Sequence, residues 1–207
     1  MHAALLIATA LAAVTNWWSR ISGNSSVETW SKPLTTVLVI GIALVSGAPT
    51  DQIVVAVIAL GLCLLGDIFL MSVVDKFVLG LASFLLGHVV FIVLFLKYGL
   101  ESATLAGLAL ILAALLGASI GRVIVQGATF ADRTLQKPVL AYLVVIMATA
   151  ILGWSTTMPW VIAGTTLFVI SDSILGWHQF VGQKKWMSPA VMITYHGAIA
   201  ALALSLW

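Results

Sequence analysis

Two aspartates, Asp67 and Asp172, stand inside stretches of sequence that are otherwise apolar enough to cross a bilayer, LGLCLLGDIFLM and GTTLFVISDSILG. A carboxylate at membrane depth costs about 2.5–3.5 kcal/mol on insertion scales, so such residues usually face a bundle interior and serve chemistry or transport. Burial and like charge both disfavour two ionised carboxyl groups, which leaves one acid and one carboxylate near neutral pH. That pair can act as a general acid and its partner base. The alternative is two hydrogen-bonded structural groups.

The composition requires a membrane to surround these residues. Of 207 residues, 62% are hydrophobic and 8% are charged, and the mean hydropathy is +1.17. We therefore expect an all-α, polytopic membrane protein with one domain, 1–207, and no basic surface for nucleic acid. Eight apolar segments predict eight transmembrane helices, near 3–18, 33–48, 52–74, 77–98, 103–120, 138–154, 160–180 and 189–207.

The basic residues predict the orientation of the chain. Lys97 is the only lysine or arginine on the side that holds both termini. The other side holds eight: Arg20, Lys32, Lys76, Arg122, Arg133, Lys137, Lys184 and Lys185. Because positive charge collects on the cytoplasmic side, both termini should lie outside.

An internal repeat is visible in the same residues. An interval of 105 residues separates Lys32-Pro33 from Lys137-Pro138, and the same interval separates Asp67 from Asp172. We take each Lys-Pro pair to open a segment. This predicts a duplicated 4+4 helix bundle with halves 1–101 and 102–207, related by an axis along the membrane normal. Helix geometry places Asp67 and Asp172 at similar depth, about 10 and 12 Å from the cytoplasmic ends of their segments.

Several polar residues could support the two carboxyl groups. His88, Tyr142, Ser171 and Tyr195 are assigned to hydrogen bonding and substrate orientation, although His88 could equally be a packing residue. Lys32 could hold a lipid phosphate, keep an aspartate charged, or serve as a positive-inside anchor, as we expect for Lys137. His178 is expected at the membrane interface, and Cys63 is expected to pack in the core.

Two further patterns could indicate a nucleophile or a metal site. The stretch Gly117–Gly121 matches the G-x-S-x-G nucleophile motif, but that motif works on a strand–turn–helix and this one ends a membrane helix. A metal site built from Asp67, His88, Asp172 and His196 is conceivable across helices, but no zinc spacing or H-E-x-x-H motif supports it. We therefore expect no metal and no cofactor.

An ordered set of residues extends over most of the chain. It comprises Lys32-Pro33-Leu34-Thr35-Thr36, Leu65-Gly66-Asp67 with Leu70-Met71, Phe77 to Leu81, Phe84 to His88, Tyr142 with Met147, Leu167 to Ser173, and Tyr195. This set resembles the YhhN / transmembrane protein 86 family, which includes the lysoplasmalogenases. One departure lies in the last segment, where family members tend to carry Gln or His about four residues after the tyrosine and this chain has Ile199.

The resemblance implies hydrolysis of the vinyl ether bond of a lysophospholipid substrate, a lysoplasmalogen, to a fatty aldehyde and a glycerophospho-alcohol. Asp67 and Asp172 would be the acid and base, and the more apolar flanks of Asp67 slightly favour it as the acid. The protein would act within the lipid bilayer of the bacterial inner membrane. The rival hypotheses are a small-molecule or proton-coupled transporter, a metal-dependent lipid hydrolase, and a structural protein.

Overall fold

The computed structural model describes residues 2–207, and within that range the chain is helical with no β-strand. Eight stretches among these residues are long and apolar enough to cross a membrane, as the sequence predicts. The fifth, which we call span 5, is one continuous rod of 29 residues, Ala103–Ala131, made of α5, a π-helical turn at Gly117–Gly121, and α6. The helices are α1 His2–Ser22, α2 Ser25–Leu44, α3 Thr50–Phe69, α4 Phe77–Tyr98, α5 Ala103–Leu116, α6 Arg122–Ala131, α7 Gln136–Ser155, α8 Pro159–Phe180 and α9 Met187–Leu204.

The start of α2 differs from the prediction. The expectation that Lys32-Pro33 opens this helix is wrong, because α2 begins at Ser25 and Pro33 lies inside it. Asn24 caps the helix by accepting a hydrogen bond from the Val27 main-chain nitrogen. Hydropathy missed the first two turns because they are polar. Lys32 is consequently buried one-third of the way along the helix rather than exposed at its end.

Two other helix ends also differ from those predicted from the sequence. α3 ends at Phe69, five residues before the predicted end, so Asp67 lies in its last turn. The expected distance of about 10 Å from that end is therefore wrong, whereas α8 does end at Phe180 as predicted. Span 5 continues eleven residues past the predicted end, because the amphipathic α6 completes it.

Six helices form a closed ring around the polar residues. Going round it, α2 packs on α3, α3 on α4, α4 on α7, α7 on α8, α8 on α9, and α9 on α2. α1 packs outside the ring against α2 and α9, and span 5 packs outside it against α7 and α8. The core of the ring is aromatic and aliphatic, with Phe91, Phe95 and Phe168 almost fully buried. The ring is thus the frame that positions the site.

One end of the bundle carries nearly all the positive charge. At this end α1, α3, span 5 and α8 finish and α2, α4, α7 and α9 begin. We call it the basic end; its residues are Arg20, Lys32, Lys76, Arg122, Arg133, Lys137, Lys184 and Lys185. At the opposite end Lys97 pairs with Asp51 at 2.7 Å. The charge asymmetry expected from the sequence is therefore present in the folded chain.

Candidate active site

Asp67 is a fully buried carboxyl group with an uneven set of partners. Its Oδ2 accepts hydrogen bonds from Thr36 Oγ1 at 2.6 Å and from Tyr195 Oη at 2.8 Å. Lys32 Nζ lies 3.4 Å from Oδ1, yet its hydrogen bond goes to the Asp67 main-chain oxygen. Oδ1 therefore has a cation beside it but no hydrogen-bond donor among residues 2–207. A buried acceptor left open in this way is uncommon in folded proteins.

A polar stripe on α2 supplies two of these partners. Glu28, Lys32 and Thr36 follow one another at intervals of four residues, which puts them on one face of the helix. All three are buried. A buried lysine needs a counter-charge, and Asp67 supplies it. The stripe thus brings a cation and a hydroxyl to the end of α3.

Close packing of α3 on α4 determines the remaining surroundings of Asp67. The residue before it is Gly66, and a Cβ at that position would lie 2.5 Å from the Phe84 ring. The Phe84 ring in turn meets the Tyr195 ring edge-on, with centroids 5.7 Å apart. Gly66 therefore lets α4 approach, and Phe84 holds the tyrosine that donates to Asp67.

Asp172 lies inside α8 and has its own partners. Tyr142, on α7, donates a short hydrogen bond to Asp172 Oδ2. His88 Nε2, on α4, lies 3.3 Å from Tyr142 Oη and 3.8 Å from Asp172 Oδ2. The His88 ring packs edge-on against Phe168, with centroids 4.8 Å apart, which fixes its orientation. These three polar residues form one chain of contacts from α4 to α8.

The two carboxyl groups share a contact pattern. Asp67 contacts Thr36 from its own predicted half and Tyr195 from the other, while Asp172 contacts Tyr142 from its own half and His88 from the other. The partners do not keep the interval of the aspartates, however, since 106 residues separate Thr36 from Tyr142 and 107 separate His88 from Tyr195. The duplicated unit stays a prediction. The pattern breaks at the lysines, because Lys137 is exposed and only Lys32 reaches a carboxyl group.

Both aspartates line one cavity, which we call the polar cavity. Its lining includes Asp67, Asp172 and Tyr195, together with Lys32. Near the basic end it is lined by Arg20, Glu28, His178 and Ser188. The sequence hypothesis that the two carboxyl groups meet in one chamber is thus compatible with the geometry.

Arg20 ties three helices together at the mouth of this cavity. Its guanidinium forms an ion pair with Glu28, and its Nε donates to Ser188 Oγ at 2.6 Å. α1, α2 and α9 are therefore connected at the basic end. Arg20 and Lys32 both line this cavity, and each is paired with a carboxyl group, Glu28 and Asp67 respectively.

A second cavity adjoins the first, and we call it the apolar cavity. It lies between α4, span 5, α7 and α8, and aliphatic and aromatic side chains make up most of its lining. Tyr142 and Asp172 are among its few polar residues. Four residues line both cavities: Leu70, Phe84, Asp172 and Leu175. Asp172 therefore stands at the junction of a polar and an apolar space.

The structure brings most of the sequence-predicted residues together. Lys32, Ser171 and Tyr195 line the polar cavity, and His88 reaches the site through Tyr142. Ser171 donates to the Val191 main-chain oxygen at 3.2 Å and thereby also ties α8 to α9. His178 lies at the mouth of the cavity near the basic end.

His196 lies apart from the two aspartates. Its Nδ1 accepts a hydrogen bond from Trp17 Nε1 at 3.0 Å, on the side of α9 that packs against α1. The conceivable set of Asp67, His88, Asp172 and His196 is therefore not assembled. Within residues 2–207, no three His, Cys, Asp or Glu side chains cluster closely enough to hold a metal ion.

Sequence reasoning missed Arg20, Glu28, Thr36 and Ser188 as residues of the site. For α2 the signal was available, because polar residues at 28, 32 and 36 repeat with helical spacing inside an apolar segment. Arg20 gave no such signal, since an arginine at the end of a membrane helix is explained by topology alone. Its role depends on which helices meet at the basic end.

Fold and site together define a polytopic α-helical membrane protein with a buried cavity that two carboxyl groups line. The chain belongs to the YhhN family, whose model matches residues 27–206, nearly the whole chain. That family includes lysoplasmalogenase. No curated protein and no solved structure matches the chain.

Proposed function

We propose that this protein is a membrane-embedded hydrolase that cleaves the vinyl ether bond of lysoplasmalogens, alkenyl-glycerophosphocholine or -ethanolamine. The products would be a fatty aldehyde and a glycerophospho-alcohol. Membership of the YhhN family supports the reaction class. The observation that carries the proposal is that Asp67 and Asp172 line one cavity that Arg20 and Lys32 also line and that adjoins an apolar space.

Hydrolysis of a vinyl ether requires an acid at one vinyl carbon and a base at its neighbour, where water attacks. A proton is delivered to the vinyl carbon on the chain side, which leaves an oxocarbenium ion on the carbon bonded to oxygen. Water attacks that carbon and gives up a proton, and the resulting hemiacetal collapses as its hydroxyl proton leaves and the glycerol oxygen is protonated. One water is consumed, and the two carboxyl groups return to their starting state. A positioned acid contributes about 10²–10⁴-fold, and fixed charges near the cation add to this.

Asp172 suits the acid in this scheme. It lines both the apolar and the polar cavity, so it would lie next to the chain side of a vinyl ether bound across them. Tyr142 and His88 contact it and can relay to it the proton that the attacking water releases. The position of Asp172 outweighs the slight preference for Asp67 that the apolar flanks of the sequence gave.

Asp67 suits the base. Lys32 and the hydroxyl donors Thr36 and Tyr195 stabilise a carboxylate at this position. Its Oδ1 remains without a donor and can accept a hydrogen bond from the attacking water. The negative charge of the same group would stabilise the oxocarbenium ion.

The mouth of the polar cavity suits the phosphate of the substrate. Arg20 and Lys32 offer the guanidinium and ammonium groups that bind phosphate oxygens in proteins. We propose that the basic end faces the cytoplasm and that the enzyme resides in the bacterial inner membrane. A site inside the bundle also spares the enzyme from moving a lipid chain into water, which costs about 0.8 kcal/mol per methylene.

The test is aldehyde release by purified protein in detergent. Lysoplasmalogen should yield aldehyde, whereas the matched lysolipids with a saturated ether or an ester linkage should not. Release that a chelator abolishes would contradict the metal-free mechanism. An absence of turnover, together with uptake of solute into proteoliposomes, would overturn the proposal in favour of a carrier.

A further inference from the structure

The G-x-S-x-G match of the sequence forms the π-helical turn of span 5. Such turns inside α-helices are rare and often border functional sites. Ser119 is exposed and donates to the Leu115 main-chain oxygen at 2.6 Å, so its hydroxyl is used within the helix. The other side of the turn is different, because Ile120 and Gly121 line the apolar cavity. The turn is therefore part of a cavity wall.

We propose that the apolar cavity binds the hydrocarbon chain of the lipid, and that the π turn sets the chain length the site accepts by giving Leu143 room beside Gly121. This inference rests on the proposed function and deepens it, since it assigns the chain of the substrate to a subsite. The chemical class of the ligand is a single alkyl or alkenyl chain attached to a polar head.

The adjacency of the two cavities supports a chain rather than another apolar occupant. Leu70, Phe84 and Leu175 line both cavities, so side chains alone separate the two spaces. Asp172 also lines both and Tyr142 contacts it, so a lipid with its chain in the apolar cavity would have the bond between head and chain beside them. Phe77 and Phe180 meet edge-on with centroids 5.4 Å apart and line the part of the cavity near the basic end.

Chain selection here has to be steric. A lipid chain leaves one hydrocarbon environment for another, so apolar burial adds little to its binding. A chain with extra methylene groups is costly to fit into a filled cavity, however, because closely packed side chains leave few voids for it. The shape of the cavity wall therefore decides which chains fit.

Gly121 is the position that controls this wall. A Cβ on Gly121 would lie 2.8 Å from Leu143 Cδ2, closer than real contacts allow. Leu143 also lines the cavity, and its terminal methyl groups can rotate. A larger residue at 121 should therefore push Leu143 into the chain space without disturbing the backbone. Gly117 is the matched control in the same turn, because a Cβ there meets nothing within 4 Å.

Photo-crosslinking tests the inference without requiring turnover. The probe is an ester-linked lysophosphatidylcholine with a diazirine near the end of its chain, and labelled peptides are mapped by mass spectrometry. We expect labelling within 116–124 and 139–147. Gly121→Val should reduce it about tenfold, Gly117→Val should leave it unchanged, and adding Leu143→Ala to Gly121→Val should restore it. If Gly121→Val does not fold, Ile120→Phe fills the same space and should give the same loss.

The outcomes separate this inference from the proposed function. Labelling that Gly121→Val and Ile120→Phe leave unchanged, or labelling confined to the groove between α1 and α9, would overturn the chain subsite. If the protein shows the labelling pattern described above but does not hydrolyse lysoplasmalogen, the chain subsite is supported and the proposed reaction is wrong. If the reaction occurs, Gly121→Val should lower kcat/KM for long-chain substrates about tenfold relative to short-chain ones, and an unchanged ratio would also overturn the inference.

Discussion

Tyr195 donates a hydrogen bond to Asp67 at 2.8 Å, across 128 residues of sequence. This hydrogen bond joins α9 to α3, and both residues are buried. The Tyr142–Asp172 contact is its counterpart in one respect, since each carboxyl group accepts from a tyrosine. The two tyrosines thus fix how the carboxyl groups face the polar cavity.

Replacing either aspartate by its amide should remove most of the activity. Asp67→Asn and Asp172→Asn keep the shape of the side chain but cannot act as base or acid, so kcat should fall about 100- to 10,000-fold. Aldehyde release from lysoplasmalogen measures this. Asp51→Asn is the control, because Asp51 is exposed and pairs with Lys97 at the opposite end. A rate near that of the wild type in either site variant would remove that residue from the catalytic role.

Removing the Tyr195 hydroxyl should lower both the activity and the thermal stability of the protein. Tyr195→Phe deletes one of two donors to Asp67 Oδ2, and a hydrogen bond to a charged group contributes about 1.5–3 kcal/mol. We expect a lower melting temperature and a rate reduced about tenfold or more. Tyr98→Phe serves as comparison, because Tyr98 contacts Ser205 at the end far from the site. Equal behaviour of the two variants would contradict a role for Tyr195 in holding Asp67.

Much of the fold could be predicted from the sequence, because hydropathy alone determines which segments span a bilayer. The ends could not be placed where polar residues are buried inside the bundle, as in the first turns of α2. Asp67 and Asp172 stood out because a carboxylate is costly at membrane depth. Arg20 did not, since its importance comes from its contacts with Glu28 on α2 and Ser188 on α9. Those contacts are a property of tertiary packing, and an arginine at a helix end carries no local signature of them.

The orientation can be measured with introduced cysteines. Cys63 is the only cysteine and is buried, so background labelling should be low. Leu100→Cys and Gln183→Cys each replace an exposed residue, at opposite ends of the bundle. If the basic end is cytoplasmic, a membrane-impermeant maleimide should label the first in intact spheroplasts and the second only after permeabilisation. The reverse pattern would show that the basic end faces outward.

The lysines at 32 and 137 should respond very differently to the same substitution, although the repeat pairs them. Lys32→Met leaves the buried carboxyl group of Asp67 without its counter-charge, and breaking a buried ion pair in this way costs about 3–5 kcal/mol. Lys137→Met changes an exposed side chain and should alter stability by about 0.5 kcal/mol or less. Thermal unfolding in detergent, followed by tryptophan fluorescence, measures both.

A further variant separates the charge of Lys32 from its contacts with Asp67. In Lys32→Met/Asp67→Asn the unpaired charge is gone, so much of the lost stability should return while activity stays absent. If Lys32→Met alone melts like the wild type, the ion pair contributes little, and Asp67 does not depend on Lys32 to remain a carboxylate. In that case the hydroxyl groups of Thr36 and Tyr195 would have to stabilise the charge by themselves.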